Sequence, residues 1–413
     1  MHKLTYFTTS ILFFGCSQHS LNRESDINQA NSGFKSAILK DDLVESLAFG
    51  NFVGDEKLDL AVISRGVSLP TPAGPMPFDG IATAKLAHLK VYENHGKGSF
   101  VLACTKILEH VDGGALGEIA AANLDGAGHQ ELVGAGIGFG KGFFTFECDT
   151  RHGTKLKETH HPLTRDFFVR TLLAHDLNGD GLSDIILTQA DSKQNFVTIA
   201  ASVKTGFKIE TEIARPNFGI NGVTAGRFFS NSKTSLAWVT KGDYTTHQAL
   251  LEIVELNGFV AGAPVTFSLP NLVDGMSIIS GDLDKNGFDD LVMTASGGIN
   301  DFPGMFTALV SDGTRLQTSL PAANGNAGVN HPQNAVIGDV ENDGVAKIYL
   351  PGGSDNSFIT AVSLDSLGRE KSRRKILTQL PSHLVHSADL DLDGQPELVL
   401  ATASGIEILS IKN

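Results

Sequence analysis

The 413-residue chain has one Trp, four Tyr and three Cys, and charged residues make up only 19% of it. So few Trp and Tyr leave little of the aromatic surface that sugar-binding sites exploit, whereas the 25 Phe suit packing between sheets. Lys and Arg are outnumbered by Asp and Glu, 32 to 46, and the formal net charge of -14 disfavours a nucleic-acid partner, which would need clustered cations against its phosphates. No long helical period stands out, and there is no GxSxG elbow, no HExxH and no specifically spaced pair of catalytic carboxylates, so the sequence points to a non-catalytic protein. His160-His161, His383 and His386 fit solvated side chains; His383 and His386, three apart, would face opposite sides of a strand. Cys104 and Cys148 form either one disulfide in an oxidising compartment or two buried thiols, and the sequence leaves both open.

Residues 1–15 have the form of an export signal, with Lys3 followed by an apolar run over 6–14 that is too short to span a bilayer. The run FFGC at 13–16 resembles the lipobox of bacterial lipoproteins, with Phe13 where that family prefers Leu. The resemblance implies a lipid on Cys16 and a place in the bacterial cell envelope, at the outer membrane given Ser17, with acyl chains as the only attachment to the membrane. Residues 16–32 are polar and aperiodic and form a flexible tether.

Gly is abundant, at 45 residues, and aliphatic residues recur in short runs, as in a fold of many short strands. One segment recurs seven times: NFVGDEKLDLAVI from Asn51, NLDGAGHQELVGA from Asn123, DLNGDGLSDIILT from Asp176, RFFSNSKTSLAWV from Arg227, DLDKNGFDDLVMT from Asp282, DVENDGVAKIYLP from Asp339 and DLDLDGQPELVLA from Asp389. The starts are 72, 53, 51, 55, 57 and 50 residues apart, and near-constant spacing of about fifty matches one four-stranded blade. The long first interval holds a Pro- and Gly-rich insertion over 64–85, expected to be a loop. The polar loop with its following apolar strand, together with VYENHGKGSF at 91–100, resembles FG-GAP or VCBS repeats of integrin-α-like proteins. That resemblance implies an all-β, seven-bladed propeller over residues 33–413. The C-terminus supplies three strands of the last blade, so FKSAIL at 34–39 is expected to complete it and close the ring.

Within the loops, calcium ligation asks for Asp or Asn at positions one, three and five, Gly at six, a backbone carbonyl at seven and an acid at nine. The third loop fits with Asp176, Asn178, Asp180, Gly181, Leu182 and Asp184; the fifth with Asp282, Asp284, Asn286, Gly287, Phe288 and Asp290; the seventh with Asp389, Asp391, Asp393, Gly394, Gln395 and Glu397. These three are expected to hold Ca2+ and to stabilise their blades. Weaker candidates are the sixth loop (Asp339, Glu341, Asp343), where Lys347 replaces the ninth acid and its ammonium could stand in for the ion, and the second (Asn123, Asp125, Glu131), where Ala127 lacks a ligand. The first loop offers Asn51, Asp55 and Asp59 but has Val53 at position three, and the fourth, with Arg227, Phe229 and Lys233, is expected to bind nothing.

In integrin-type propellers the ligand face lies opposite the calcium loops. On this chain that face would carry the insertion around 70–79 and the turns near Asp112, Asn221, Asp301 and His331, each of which reads more simply as a surface turn. The expected function is a calcium-stabilised binding or adhesion module for an unnamed protein or glycan, with a lectin or a polysaccharide lyase as the alternatives.

Overall fold

The computed structural model describes residues 34–411 except 55–56, 66–86, 97, 109–116, 137–141, 151–153, 164–167, 191–193, 204–205, 217–218, 231–232, 241–247, 271, 273–274, 296–304, 319–324, 327–334 and 353–356. Cys16, the tether and nearly all of the 64–85 insertion lie outside the described residues; Ser64 itself ends up buried in a strand.

Seven antiparallel sheets form a seven-bladed β-propeller, with no α-helix among the described residues. Blade 1 runs through Leu43–Gly50, Asp59–Arg65, Ala87–Asn94 and Phe100–Leu108, and blade 2 through Gly117–Ala122, Glu131–Gly136, Phe143–Cys148 and Leu156–His161. Blade 3 comprises Phe168–His175, Asp184–Ala190, Gln194–Val203 and Gly206–Pro216; blade 4 comprises Ile220–Gly226, Ser235–Thr240, Gln248–Asn257 and Val265–Pro270. Blade 5 has Gly275–Gly281, Asp290–Ala295, Met305–Ser311 and Leu316–Thr318, and blade 6 has Val336–Gly338, Lys347–Pro351, Phe358–Leu364 and Glu370–Leu377. Blade 7 takes Ser382–Ala388, Glu397–Thr402 and Gly405–Ile411 from the C-terminus and Phe34–Lys40 from the N-terminus, with Phe34 opposite Ile411 and Lys40 opposite Gly405. Neighbouring blades touch all the way round, blade 7 against blade 1 included, so the ring closes as expected.

The second strand of a blade is covered on both faces by its neighbours. That is why DLAVISR, SLAWVT, KIYLP and ELVLAT are buried at every residue and carry apolar runs at their centres, with polar residues only towards their ends. Each of the seven interfaces has its own apolar cluster among the described residues. Phe143, Phe144, Phe228 and Trp238 belong to these clusters, as their apolar character predicts.

Two features tie the ring further. Cys104, on the fourth strand of blade 1, is disulfide-bonded to Cys148, on the third strand of blade 2, and Thr105 N–H donates across the same seam to the Thr154 carbonyl. Glu407, fully buried in blade 7, accepts from the Ser36 hydroxyl of the N-terminal strand and from the Gln379 and Leu380 amides at the exit of blade 6. The closing strand is thereby held by a carboxylate as well as by its ladder.

Of the four histidines expected to be solvated, His160 is exposed, whereas His161, His383 and His386 are half-buried. His383 Nε2 lies 2.6 Å from the Val44 carbonyl of blade 1, and His386, half-buried on the same innermost strand, meets the Phe49 ring edge-on. His160 and His161 stack on Phe144 and Phe143. On the opposite face, Asn221 lies within the first strand of blade 4, not in a turn, and the stretches around Asp112, Asp301 and His331 lie outside the described residues.

Candidate metal centres

Every repeat loop joins the first strand of its blade to the second, and five of them, in blades 2, 3, 5, 6 and 7, share one backbone pattern, with Gly126 and Gly128 in blade 2. Positions four and six both take positive φ: Gly179 and Gly181 in blade 3, Lys285 and Gly287 in blade 5, Asn342 and Gly344 in blade 6, Leu392 and Gly394 in blade 7. The sequence pattern marked only position six. Position two is a buried apolar anchor, as in Leu177, Leu283, Val340 and Leu390, and also in Phe228 of the ligand-poor fourth loop. The first carboxylate gathers the turn around itself. Asp176, Asp282 and Asp389 each accept the amide of the position-six glycine (2.9 Å in all three) together with the amide of position four or five. A carboxylate has about four lone-pair directions, so these bonds leave capacity for a cation.

In blade 5 one carboxylate oxygen each from Asp282, Asp284 and Asp290 lies within 4.8 Å of the others, and in blade 7 Asp389, Asp391 and Glu397 are grouped in the same way. Either cluster could hold a metal ion. Both consist of positions one, three and nine. Position five differs between the two: Asp393 is not grouped with the three acids and accepts from the Gln395 amide, whereas Asn286 donates to Asp284 and to the Ser311 carbonyl and accepts from the Phe288 amide. The third loop makes the same turn without a three-carboxylate group, because position three is the amide Asn178, which donates to Asp180. Leu182, Phe288 and Gln395 follow at position seven, each with its amide bonded back to position five.

The ninth acid proves to have a second task. Its carboxylate accepts the position-two amide in blades 1, 2, 3, 5 and 7, through Asp59, Glu131, Asp184, Asp290 and Glu397. Asp59, Asp184 and Asp290 also accept an amide from the third strand, of Asn94, Ser202 and Ser311 respectively. Asp59 does this in a loop whose third position is Val53, so an acid at position nine is a structural staple of the blade and not by itself the mark of a metal site. Burial first, and the neighbouring carboxylates after it, push Asp184 up to about 6 and Asp290 up to about 7; Glu397, Glu131 and Asp284 are raised by the same main cause. Carboxylates held close and away from water are poorly compensated when charged, and a bound cation supplies that compensation.

In blade 6 side-chain cations already provide it. Lys347, buried at position nine, places its ammonium 2.6 Å from Asp343 and 3.4 Å from Glu341, while Arg374 reaches Glu341 at 2.6 Å and Lys285 of blade 5 reaches Asp339 at 3.4 Å. In blade 2 the candidate ligand Asn123 turns its amide to the Gly181 carbonyl of the third loop, and Asp125 accepts from Ala127.

No family model and no curated protein matches the sequence. Among solved structures the chain is similar to the exotype rhamnogalacturonan lyase YesX, at 10% identity and a TM-score of 0.50, over 91% of this chain and 76% of that one. It is also similar to the Dos1 propeller, at 9% identity and a TM-score of 0.51, over 92% and 95%. These likenesses agree with the blade count in defining the class, a seven-bladed β-propeller, and at such identities they show the fold alone.

Proposed function

We propose that the protein is a non-catalytic binding module of the bacterial cell envelope, held to the membrane by a lipid on Cys16 and stabilised by Ca2+ in blades 3, 5 and 7. The observation that carries the metal assignment is the grouping of three carboxylates in blades 5 and 7, set beside blade 6, where the same loop has an ammonium among its acids. Hard oxygen donors from carboxylate, amide and carbonyl suit calcium, which takes six to eight of them. Asp176, Asp282 and Asp389 would hold the ion from position one, Asn178, Asp284 and Asp391 from position three, and Asp184, Asp290 and Glu397 from position nine, with the position-seven carbonyls and Asp180, Asn286 or Asp393 completing the set. The ion supplies countercharge; the chain supplies a turn already shaped around the first carboxylate. The disulfide suits an oxidising envelope, in line with the export signal.

The ligand, a protein or a glycan, is assigned to the face opposite the calcium loops. YesX, a rhamnogalacturonan lyase, shares the fold, and this makes a glycan the second reading. A glycan array probed with the chain in calcium and in chelator separates the two: binding in calcium supports the glycan, and an empty array supports a protein partner. For the metal assignment, Asp284→Ala and Asp391→Ala should each remove one bound ion while the far-ultraviolet spectrum of the propeller persists. An unchanged ion count in both variants contradicts it.

A further inference from the structure

Position eight lies between the carbonyl of position seven and the acid of position nine, and the ligand pattern gives it no role. In three blades it is bonded to the blade before it. Ser183 of the third loop donates its amide to the Asn123 carbonyl of the second loop at 2.7 Å and accepts the Asn123 amide on its hydroxyl at 3.1 Å. Asp289 of the fifth loop does the same with Arg227 of the fourth, donating at 3.2 Å and accepting at 2.7 Å. Gln130 of the second loop repeats the exchange with Asn51 of the first, at 2.8 and 3.1 Å. Each pair therefore ties both backbone groups of position one to a single residue of the next blade. The preceding glycines leave room for it, since a Cβ on Gly50 would lie 2.8 Å from the Gln130 acceptor and one on Gly226 3.0 Å from Asp289.

The distribution of these pairs follows the distribution of ligands. The fourth loop, poorest in oxygens, is tied to the fifth, and the second and first are tied in series to the third. The sixth has its own ammonium in Lys347, and position eight of the next loop is Pro396, a residue with no amide hydrogen to give.

Resting on the calcium reading above, we propose that Ser183 and Asp289 are positioning residues through which an ion in blade 3 or 5 orders the ligand-poor loop of the blade before it. An ion fixes positions seven and nine, which pins position eight between them, and the reciprocal pair passes that restraint to position one of the neighbour.

Hydrogen exchange on the full chain, in calcium and in chelator, tests this once calorimetry has fixed the number of ions bound. Calcium is expected to slow exchange by at least about tenfold in the ion loops and also in residues 123–131 and 227–230, but not in 340–346, beyond the Asp339 that Lys285 contacts. Ser183→Ala and Asp289→Ala remove the side-chain half of each pair; they should keep the ion count and reduce the slowing in blade 2 and blade 4 respectively, and Ser183→Thr should restore it. Slowing confined to the ion loops, equal slowing in 340–346, or neighbour protection undiminished in both alanines overturns the coupling and leaves the ion sites standing. A wild-type chain that binds no calcium overturns both.

Discussion

Leu392 holds the left-handed backbone of position four at φ 59, where other loops place Gly, Asn or Lys. A branched apolar residue gains nothing there, since more than half of its surface is exposed, and the conformation costs about 1 kcal/mol. Leu392→Asn is expected to raise stability by about 0.5–1 kcal/mol in urea unfolding. Outside the repeat loops, two residues on innermost strands titrate far from their usual ranges. Burial pushes Glu118 up to about 7, with only the Leu172 amide as a partner that favours its charge, and burial pushes His386 down to about 4. The signs oppose. Between about pH 4.5 and 7 the folded chain keeps a proton on Glu118 that the unfolded chain releases, so this contribution is present below 4.5 and is lost as pH rises to 7. His386 binds a proton in the unfolded chain first, so its contribution is present above about 6.5 and is lost as pH falls to 4. Glu118→Gln should therefore be more stable than the wild type by about 1–3 kcal/mol at pH 8, with the gap closing by pH 4.5 in unfolding curves recorded across the range.

Among the elements, the seam between blades 1 and 2 is the one closed covalently. The bridge spans a separation of 44 residues, for which loop entropy gives about 4 kcal/mol, and reduction or the Cys104→Ser, Cys148→Ser pair should lower stability by about 2–4 kcal/mol with the blades retained. Strand order was legible in the sequence because second strands such as ELVLAT, buried on both faces, carry no polar alternation, and because Asp-Gly turns punctuate them. The Cys104–Cys148 pairing was not legible, since it depends on two blades lying side by side. The burial of His383 and His386 was hidden for a related reason: strand alternation places side chains on the two faces of a sheet, and in a propeller both faces meet a neighbour. The structural task of the acid at position nine was not legible, because its bonds to position two and to the third strand are invisible until the blade is folded.

Across the whole molecule, closure by Phe34–Lys40 and the uneven spread of oxygen ligands were both readable from the repeat, the first from a missing fourth strand and the second from the residues at positions one, three and nine. The ring that results has three kinds of loop: those with oxygen donors at the spacing an ion would need, one with a lysine ammonium among its acids, and those fastened to the next blade. Bound only in the folded state, calcium at a hundred times its dissociation constant would add about 2.7 kcal/mol per independent site. The measurement that tests this account most directly is calorimetric titration of the chelator-stripped, full-length chain with calcium, paired with thermal unfolding. Three ions per chain and a melting temperature that rises with calcium are predicted; no bound ion at millimolar calcium, with an unchanged melting temperature, would contradict it.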